Sequence, residues 1–214
     1  TTASVSVRAK TLKVDNASSP LRGADVVLLA TEGIKVESGS SILGSGALGR
    51  EGETLRIGDA SLVGSGNVVL LRVGSEKGGS VEVNGLDLSR SSKLSIGDSV
   101  TLQGTRVGLT SVGELSIAST ARLKADVLEV SGGRVSMQLD GSVDPRTDAG
   151  LVLTRSTLDG LSGARSISLR SFTTLDVVGG GEYSFSGDLL LGAGQLRGYG
   201  QGGVPAALKA ATLT

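Results

Sequence analysis

Short units in which two apolar residues flank one small or polar residue recur along the whole chain. They occupy residues 55–57, 81–83, 94–96, 100–102, 115–117, 128–130, 135–137, 167–169 and 175–177. Alternation with a period of two places successive side chains on opposite faces of a β-strand, so each unit predicts a strand with one buried and one solvated face. A new unit begins about every seven residues, which is denser than ordinary hairpins allow. The pattern favours a β-solenoid, in which short strands stack in successive coils.

The clearest internal repeat lies in the middle of the chain. Leu94, Leu115 and Val135 begin units that are 21 and 20 residues apart, and further units begin between them at Val100 and Val107. Three strands therefore fall within one period of about 20 residues, the size expected of a right-handed parallel β-helix. We expect two columns of side chains to stack in successive coils. The first is Leu94, Leu115 and Val135, and the second is Ile96, Ile117 and Met137.

The sequence therefore predicts an all-β fold, a right-handed parallel β-helix of about ten coils of roughly 20 residues. Residues 1–214 are interpreted as a single β-helix segment excerpted from a longer rod, because the strand pattern is already present at Val5 and Val7. An antiparallel sandwich of short strands is the alternative, although sandwich strands are longer. A left-handed β-helix is a further alternative, since residues 57–62 match one hexapeptide unit, but the match does not continue.

Glycine supplies many of the expected corners between strands. The chain has 34 glycines and 3 prolines among 214 residues, without a collagen period. Glycine adopts positive φ without steric cost, as a corner requires. We expect Gly97 and Gly104 at corners, at least one of them with positive φ.

Composition narrows the function classes. Lysine and arginine number 21, aspartate and glutamate also number 21, and there is no cysteine or histidine. A net charge of zero gives no electrostatic reason to expect nucleic acid or an anionic membrane as partner. No apolar run reaches about 18 residues, so no membrane span is predicted. The four aromatic residues lie late in the chain and fit core and end packing better than a binding cleft: Phe172, Tyr183, Phe185 and Tyr199.

Residues 140–150, with the sequence DGSVDPRTDAG, break the rhythm and predict a protruding loop. Its charged residues are the strongest candidates for chemistry, because β-helical polysaccharide lyases use Asp to hold Ca²⁺ and Arg or Lys to take a proton. The candidate catalytic residues are Asp140, Asp144, Arg146 and Asp148, with Arg155 nearby. Their spacing is neither that of an EF-hand loop nor that of an RTX nonapeptide, and a solvated loop is the simpler interpretation. We therefore predict no cofactor and no metal.

The Gly-rich turns, the LxI and VxL units, the few aromatic residues and the lack of cysteine resemble the shafts of filamentous haemagglutinin-type exoproteins. These are large Gram-negative proteins secreted by the two-partner pathway. The resemblance lies in repeat character over nearly the whole chain, and residues 151–200 are the most similar part. The Asn-Pro motifs of that family's secretion domain do not occur here. The resemblance therefore implies an interior or distal segment of a long secreted rod, and it transfers no individual binding residue.

We expect a structural and adhesive shaft segment of a filamentous adhesin, secreted or displayed on the surface of a Gram-negative bacterium, and not an enzyme. Its expected partners are a cell-surface receptor or glycan on the exposed faces, neighbouring coils of the same rod, and an outer-membrane secretion partner for the full-length chain. A β-helical polysaccharide-active lyase or hydrolase is the alternative. A structural solenoid that assembles end to end is the third possibility.

Overall fold

The computed structural model describes residues 4–47, 55–57, 68–76, 81–83, 92–142, 144 and 150–214. Strands account for 57% of the structure and helix for 4%, which confirms the all-β prediction. The strands are β1 Ser4–Val14, β2 Leu21–Gly23, β3 Asp25–Val36, β4 Ser41–Gly44, β5 Leu55–Ile57, β6 Val69–Gly74, β7 Val81–Val83, β8 Lys93–Ile96, β9 Thr101–Gln103, β10 Arg106–Ser111 and β11 Glu114–Ile117. They continue with β12 Arg122–Lys124, β13 Val127–Gly132, β14 Val135–Gln138, β15 Leu151–Leu153, β16 Ser166–Ser171, β17 Thr174–Val178, β18 Gly181–Ser184, β19 Asp188–Gly192, β20 Gln195–Tyr199 and β21 Ala206–Lys209. One helix, α1 Arg155–Leu161, interrupts them.

A sheet of 13 strands organises the molecule and divides into two branches at β3. The first half of β3 leads into the first branch, whose order is β6, β10, β13, β16 and β19. The second half of β3 leads into the second branch, whose order is β8, β11, β15, β14, β17 and β20. Strand β1 pairs with β3 along both halves. The two branches therefore share strand β3, each pairing with a different half of it.

The strand register in the middle of the chain is the predicted one. Leu94 pairs with Leu115 and Ile96 with Ile117, so β8 and β11 stack in parallel with an offset of 21 residues. The same offset relates Leu102 of β9 to Leu123 of β12, and β10 to β13. Three consecutive strands thus repeat together.

The predicted stacking of Val135 on Leu115, and of Met137 on Ile117, is wrong. Strand β15 lies between β11 and β14, so that Leu151 pairs with Leu115 on one side and with Val135 on the other. After β14 the chain leaves the sheet and returns one strand earlier in the stack. The returning segment Leu151–Leu153 has the same apolar alternation as the predicted neighbour and fills the same column.

Strand β6 runs in the opposite direction to its two neighbours. It pairs antiparallel with both β3 and β10, and all six of its residues are buried. Its Arg72 forms two hydrogen bonds of 2.9 Å with the carboxylate of Asp25. An arginine at this buried position is tolerated because the planar guanidinium matches the carboxylate.

A smaller, separate sheet has four strands in the order β12, β9, β4 and β2, and β18 pairs separately with β21. Helix α1 packs against β12, β14 and β15. Thr154 caps it, because its hydroxyl accepts a hydrogen bond from the amide of Thr157. Leu158 and Leu161 are buried and join the core.

Gly97 and Gly104 follow strands β8 and β9, but neither has positive φ, so that expectation is wrong. Close packing explains both glycines instead. A Cβ atom at Gly97 would lie 2.9 Å from the carbonyl oxygen of Val36, and one at Gly104 would collide with the carbonyl oxygen of Gly74. In this part of the chain the left-handed conformation belongs to Ser99, with φ 56°.

Candidate functional site

The candidate loop contributes a buried carboxylate where the solvated-loop interpretation expects an exposed one. Asp144 is buried and accepts a hydrogen bond from Nη1 of Arg134. The same nitrogen lies 3.1 Å from Oδ2 of Asp176, which is fully buried at 0% exposure. One guanidinium therefore neutralises two carboxylates, one from the loop and one from strand β17.

Asp140 lies elsewhere, at the exposed entry to the loop. Its Oδ1 accepts a hydrogen bond of 2.9 Å from the amide of Ser142, and its Oδ2 accepts one of 3.0 Å from the amide of Gly180. Hydrogen bonds from the side chain and amide of Ser142, and then from the amide of Gly180, hold the pKa of Asp140 below its usual value. The carboxylate thus ties the loop to the turn after β17.

The candidate catalytic residues do not converge within the described part of the chain. Asp140 and Asp144 bind different partners, while Arg146 and Asp148 lie outside the described residues. Among those that are described, no three acidic side chains are grouped as a metal site would require. The arrangement of Asp140 and Asp144 is that of two anchors, because each is bonded to an element that flanks the loop.

Arg155 belongs to a second cluster, on α1. Its guanidinium lies 4.7 Å from the centre of the Tyr183 ring and 3.1 Å from the carbonyl oxygen of Glu182. The hydroxyl of Tyr183 donates a hydrogen bond of 3.1 Å to Oδ1 of Asp159. Burial, followed by this bond and the charge of Asp159, raises the pKa of Tyr183 to about 12.

Two of the four aromatic residues lie in the core, as the sequence predicts. Tyr183 and Phe185 are 2% and 4% exposed, and their rings meet edge to face with centroids 4.8 Å apart. An edge-to-face pair is a favourable packing geometry for aromatic rings. These rings therefore fill the interior near α1 and present no stacking platform to a ligand.

The solvated faces carry ion pairs between neighbouring strands. Lys10 lies 2.8 Å from Glu32, Lys93 lies 2.6 Å from Glu114, and Lys209 lies 2.6 Å from Glu182. Each pair is largely exposed and therefore contributes little to stability. Their effect is to leave the outer surface charged but locally neutral, in agreement with the zero net charge of the chain.

Sequence reasoning did not find the roles of Arg134, Asp176 or helix α1. Asp176 occupies the middle of an apolar-polar-apolar unit, the position that the pattern assigns to solvent. A usable signal existed for α1, because Thr154 precedes a segment that lacks period-two alternation. No comparable signal pairs Arg134 with residues 10 and 42 positions later, since only the fold brings them together.

Comparison with protein-family models, curated proteins and solved structures found no match. Among the described residues, no helix has the length and apolar character needed to cross a membrane.

Proposed function

We propose that this chain is a right-handed parallel β-helix that serves as a structural and adhesive shaft segment of a secreted or surface-exposed bacterial filament. The observation that carries the proposal is the common offset of 21 residues shared by the pairs β8–β11, β9–β12 and β10–β13. Three strands that advance together by one period describe a coil. The right hand is supported by the strong preference of parallel crossover connections for that handedness.

The proposed number of coils is smaller than the ten expected from length alone. The first branch, extended by β1 and β3, contains seven strands in its described part. Strand β6 is the third strand of this series. We therefore propose seven coils, of which the third includes the reversed strand β6.

A shaft needs an interior that repeats and an exterior that stays soluble. The repeating interior is a column of buried apolar residues that follow one another in register: Ile34, Leu94, Leu115 and Leu151. The soluble exterior carries ion pairs across neighbouring strands. We propose that a cell-surface receptor or glycan binds these outer faces, and that an outer-membrane partner exports the full-length chain from a Gram-negative cell.

The polysaccharide-active enzyme is a weaker proposal. Its candidate residues Asp140 and Asp144 bind separate structural partners, so a shared catalytic position for them is not supported. A non-catalytic role agrees better with carboxylates that fasten a loop. End-to-end assembly of the same shaft is compatible with both proposals and is tested by sedimentation below.

The test compares adhesion with catalysis on the same preparation. Beads coated with the wild-type chain are expected to bind cells, and beads coated with the unfolded Leu115→Asp variant are expected to bind fewer, because adhesion requires intact coils. In parallel, the soluble chain is incubated with plant and bacterial polysaccharides in the presence of Ca²⁺. If the wild-type chain releases new sugar ends and a folded Asp144→Asn variant does not, the enzyme proposal would replace the shaft proposal.

A further inference from the structure

A shallow open groove lies between α1 and the four-stranded sheet, and its volume is about 560 Å³. One side is formed by the ends of β9 and β12 and the residues that follow them, and the other by the last turn of α1 and the residues after it. The lining side chains used below are Gln103, Lys124, Asp126 and Asp159, together with Gly160 and Gly163.

Small residues keep the groove open. A Cβ atom built on Gly160 or on Gly163 would meet no atom within 4 Å, so the space above both glycines is empty. Neither glycine has positive φ, and so the backbone conformation does not require glycine at either position. A larger side chain at Gly160 would therefore project into the groove without distorting the helix.

Lys124 differs from the other lysines in the described part of the chain. Lys10, Lys13, Lys35, Lys93 and Lys209 each form an ion pair, whereas none is formed by Lys124 among the described residues. Its neighbour Arg122 lies two residues earlier on the same strand and outside the groove. The ammonium group of Lys124 is thus available to a ligand in the groove.

The groove also presents hydrogen-bond acceptors, and one of them, Asp159, is oriented by neighbouring side chains. Oδ1 of Asp159 accepts from the hydroxyl of Tyr183 and lies 3.8 Å from Nε of Arg155, and Oδ2 has no hydrogen bond within the described structure. The side chains of Asp126 and Gln103 likewise make no hydrogen bond to any described residue. Two carboxylates, one amide and one ammonium therefore line an open groove.

We propose that this groove binds an uncharged oligosaccharide. Two carboxylates and a single lysine disfavour an anionic ligand, and the polar lining disfavours an apolar one. Sugar hydroxyls can donate to the carboxylates of Asp126 and Asp159 and accept from Lys124 and Gln103. Without an aromatic platform the binding is weak and gains strength only when many copies act together. This inference rests on the proposed adhesive function and locates one glycan-binding site in the groove.

The test titrates the ¹⁵N-labelled full chain with neutral hexasaccharides of glucose, mannose and galactose, and with a hexasaccharide of uronic acid. The amide signals of residues 123–126 and 159–163 are expected to shift with at least one neutral sugar. Lys124→Ala should weaken that binding about tenfold, because it removes a charge-assisted hydrogen bond. Arg122→Ala is the matched control on the same strand and should leave the affinity unchanged.

A size series at Gly160 tests the location independently of charge. Gly160→Ala should retain binding, and Gly160→Gln should abolish it, because only the longer side chain reaches across the open space. Unchanged amide signals of residues 155–158 in each ¹⁵N-labelled variant establish that α1 is intact. Equal affinity of both variants for the sugar would place the binding site outside the groove and overturn the proposal.

The remaining outcomes separate this inference from the proposed function. Wild-type beads that adhere to cells, while no neutral sugar shifts the groove signals, would overturn the groove and leave the shaft. Binding of the uronic acid alone would overturn the neutral class. Beads that do not adhere, while a neutral sugar binds and Lys124→Ala releases it, would support the groove and count against the adhesive shaft.

Discussion

At the scale of single residues, two glycines near β10 show how closely the backbone after β9 approaches the end of β6. Gly104 lies against the carbonyl oxygen of Gly74, and a Cβ atom there would overlap it. We predict that Gly104→Ala destabilises the chain by about 1–3 kcal/mol, as overpacking does in other cores. Urea denaturation of both proteins measures the difference.

Gly108 provides the control for this prediction. It lies in β10 with ordinary backbone angles, and the nearest atom to an added Cβ would be Cβ of Arg72 at 3.7 Å. Gly108→Ala is therefore expected to leave the stability unchanged or raise it slightly. Equal losses in the two variants would mean that strand propensity, and not contact with Gly74, determines the requirement for glycine.

Tyr183 makes a prediction about alkaline pH. Its pKa is raised to about 12 by burial and by the hydrogen bond to Asp159. The neutral phenol is therefore favoured in the folded state, and its contribution to stability is complete below the unfolded pKa of about 10. It is lost as the pH rises toward 12. In a Tyr199→Phe background, the phenolate absorbance should titrate near 12.

The variant Asp159→Asn separates the two causes of this shift. It removes the charge next to the hydroxyl but keeps a hydrogen-bond acceptor, so the midpoint should fall part of the way toward 10. A midpoint near 10 in the Tyr199→Phe protein that retains Asp159 would contradict the buried position of Tyr183.

Sequence reasoning at this scale succeeded where position alone decided the environment. Leu94 and Ile96 are buried as predicted, because alternation assigns each side chain to a face, and Tyr183 and Phe185 are buried as expected of aromatic residues that pack in the core. It failed at Gly97, where the reason for glycine is an approach of two distant backbones. Such an approach depends on which strands become neighbours, and the local sequence does not contain that information.

At the scale of elements, the charged network fastens the segment between β14 and β15. Arg134 precedes β14, Asp144 belongs to the loop and Asp176 lies in β17. We predict that Arg134→Met destabilises the chain by about 3–5 kcal/mol, because two buried carboxylates then lose their positive partner. Guanidinium denaturation at neutral pH measures the loss.

The triple variant Arg134→Met, Asp144→Leu, Asp176→Leu is the control for this prediction. It removes the charges together and should recover most of the lost stability, since well-packed apolar residues can replace a buried ionic group. A triple variant as unstable as the single one would show that the shape of the network matters more than its charge balance.

The direction and order of strands were the least predictable features of the elements. The apolar run in β6 predicts a buried strand but carries no mark of its antiparallel direction. Strand β15 has the same alternation as β14, so the sequence could not decide which of the two follows β11. Repeated strands are interchangeable by pattern, and long-range packing chooses among them.

At the scale of the whole molecule, β1 and β20 are two of the outer strands of the large sheet. Strand β1 pairs only with β3, and β20 only with β17, in the described part of the chain. Leu196 of β20 continues the buried column of Leu175 and is 63% exposed. Open edges with apolar side chains recruit further strands. We predict that the chain associates end to end as its concentration rises.

Sedimentation over a concentration series tests this association. Val5→Lys together with Val7→Pro should make the chain more monomeric without changing the unfolding of the middle strands, because both changes lie on edge strand β1. Val152→Lys is the control, since Val152 is also partly exposed but its strand has a neighbour on each side. A wild-type chain that stays monomeric at every concentration would contradict the prediction.

The position of β15 has a consequence for the order in which the protein assembles. During synthesis from the N-terminus, Val135 becomes available before Leu151. In the folded protein, however, Leu151 lies between Leu115 and Val135. An early chain can therefore dock β14 directly on β11, in a register one strand too close. Folding to the native structure then requires β14 to separate from β11 so that β15 can insert between them. Pulsed hydrogen exchange during refolding should show amides of β14 protected before those of β15, with a slow phase separating them. Simultaneous protection of both sets of amides would mean that β14 and β15 join the sheet in one step.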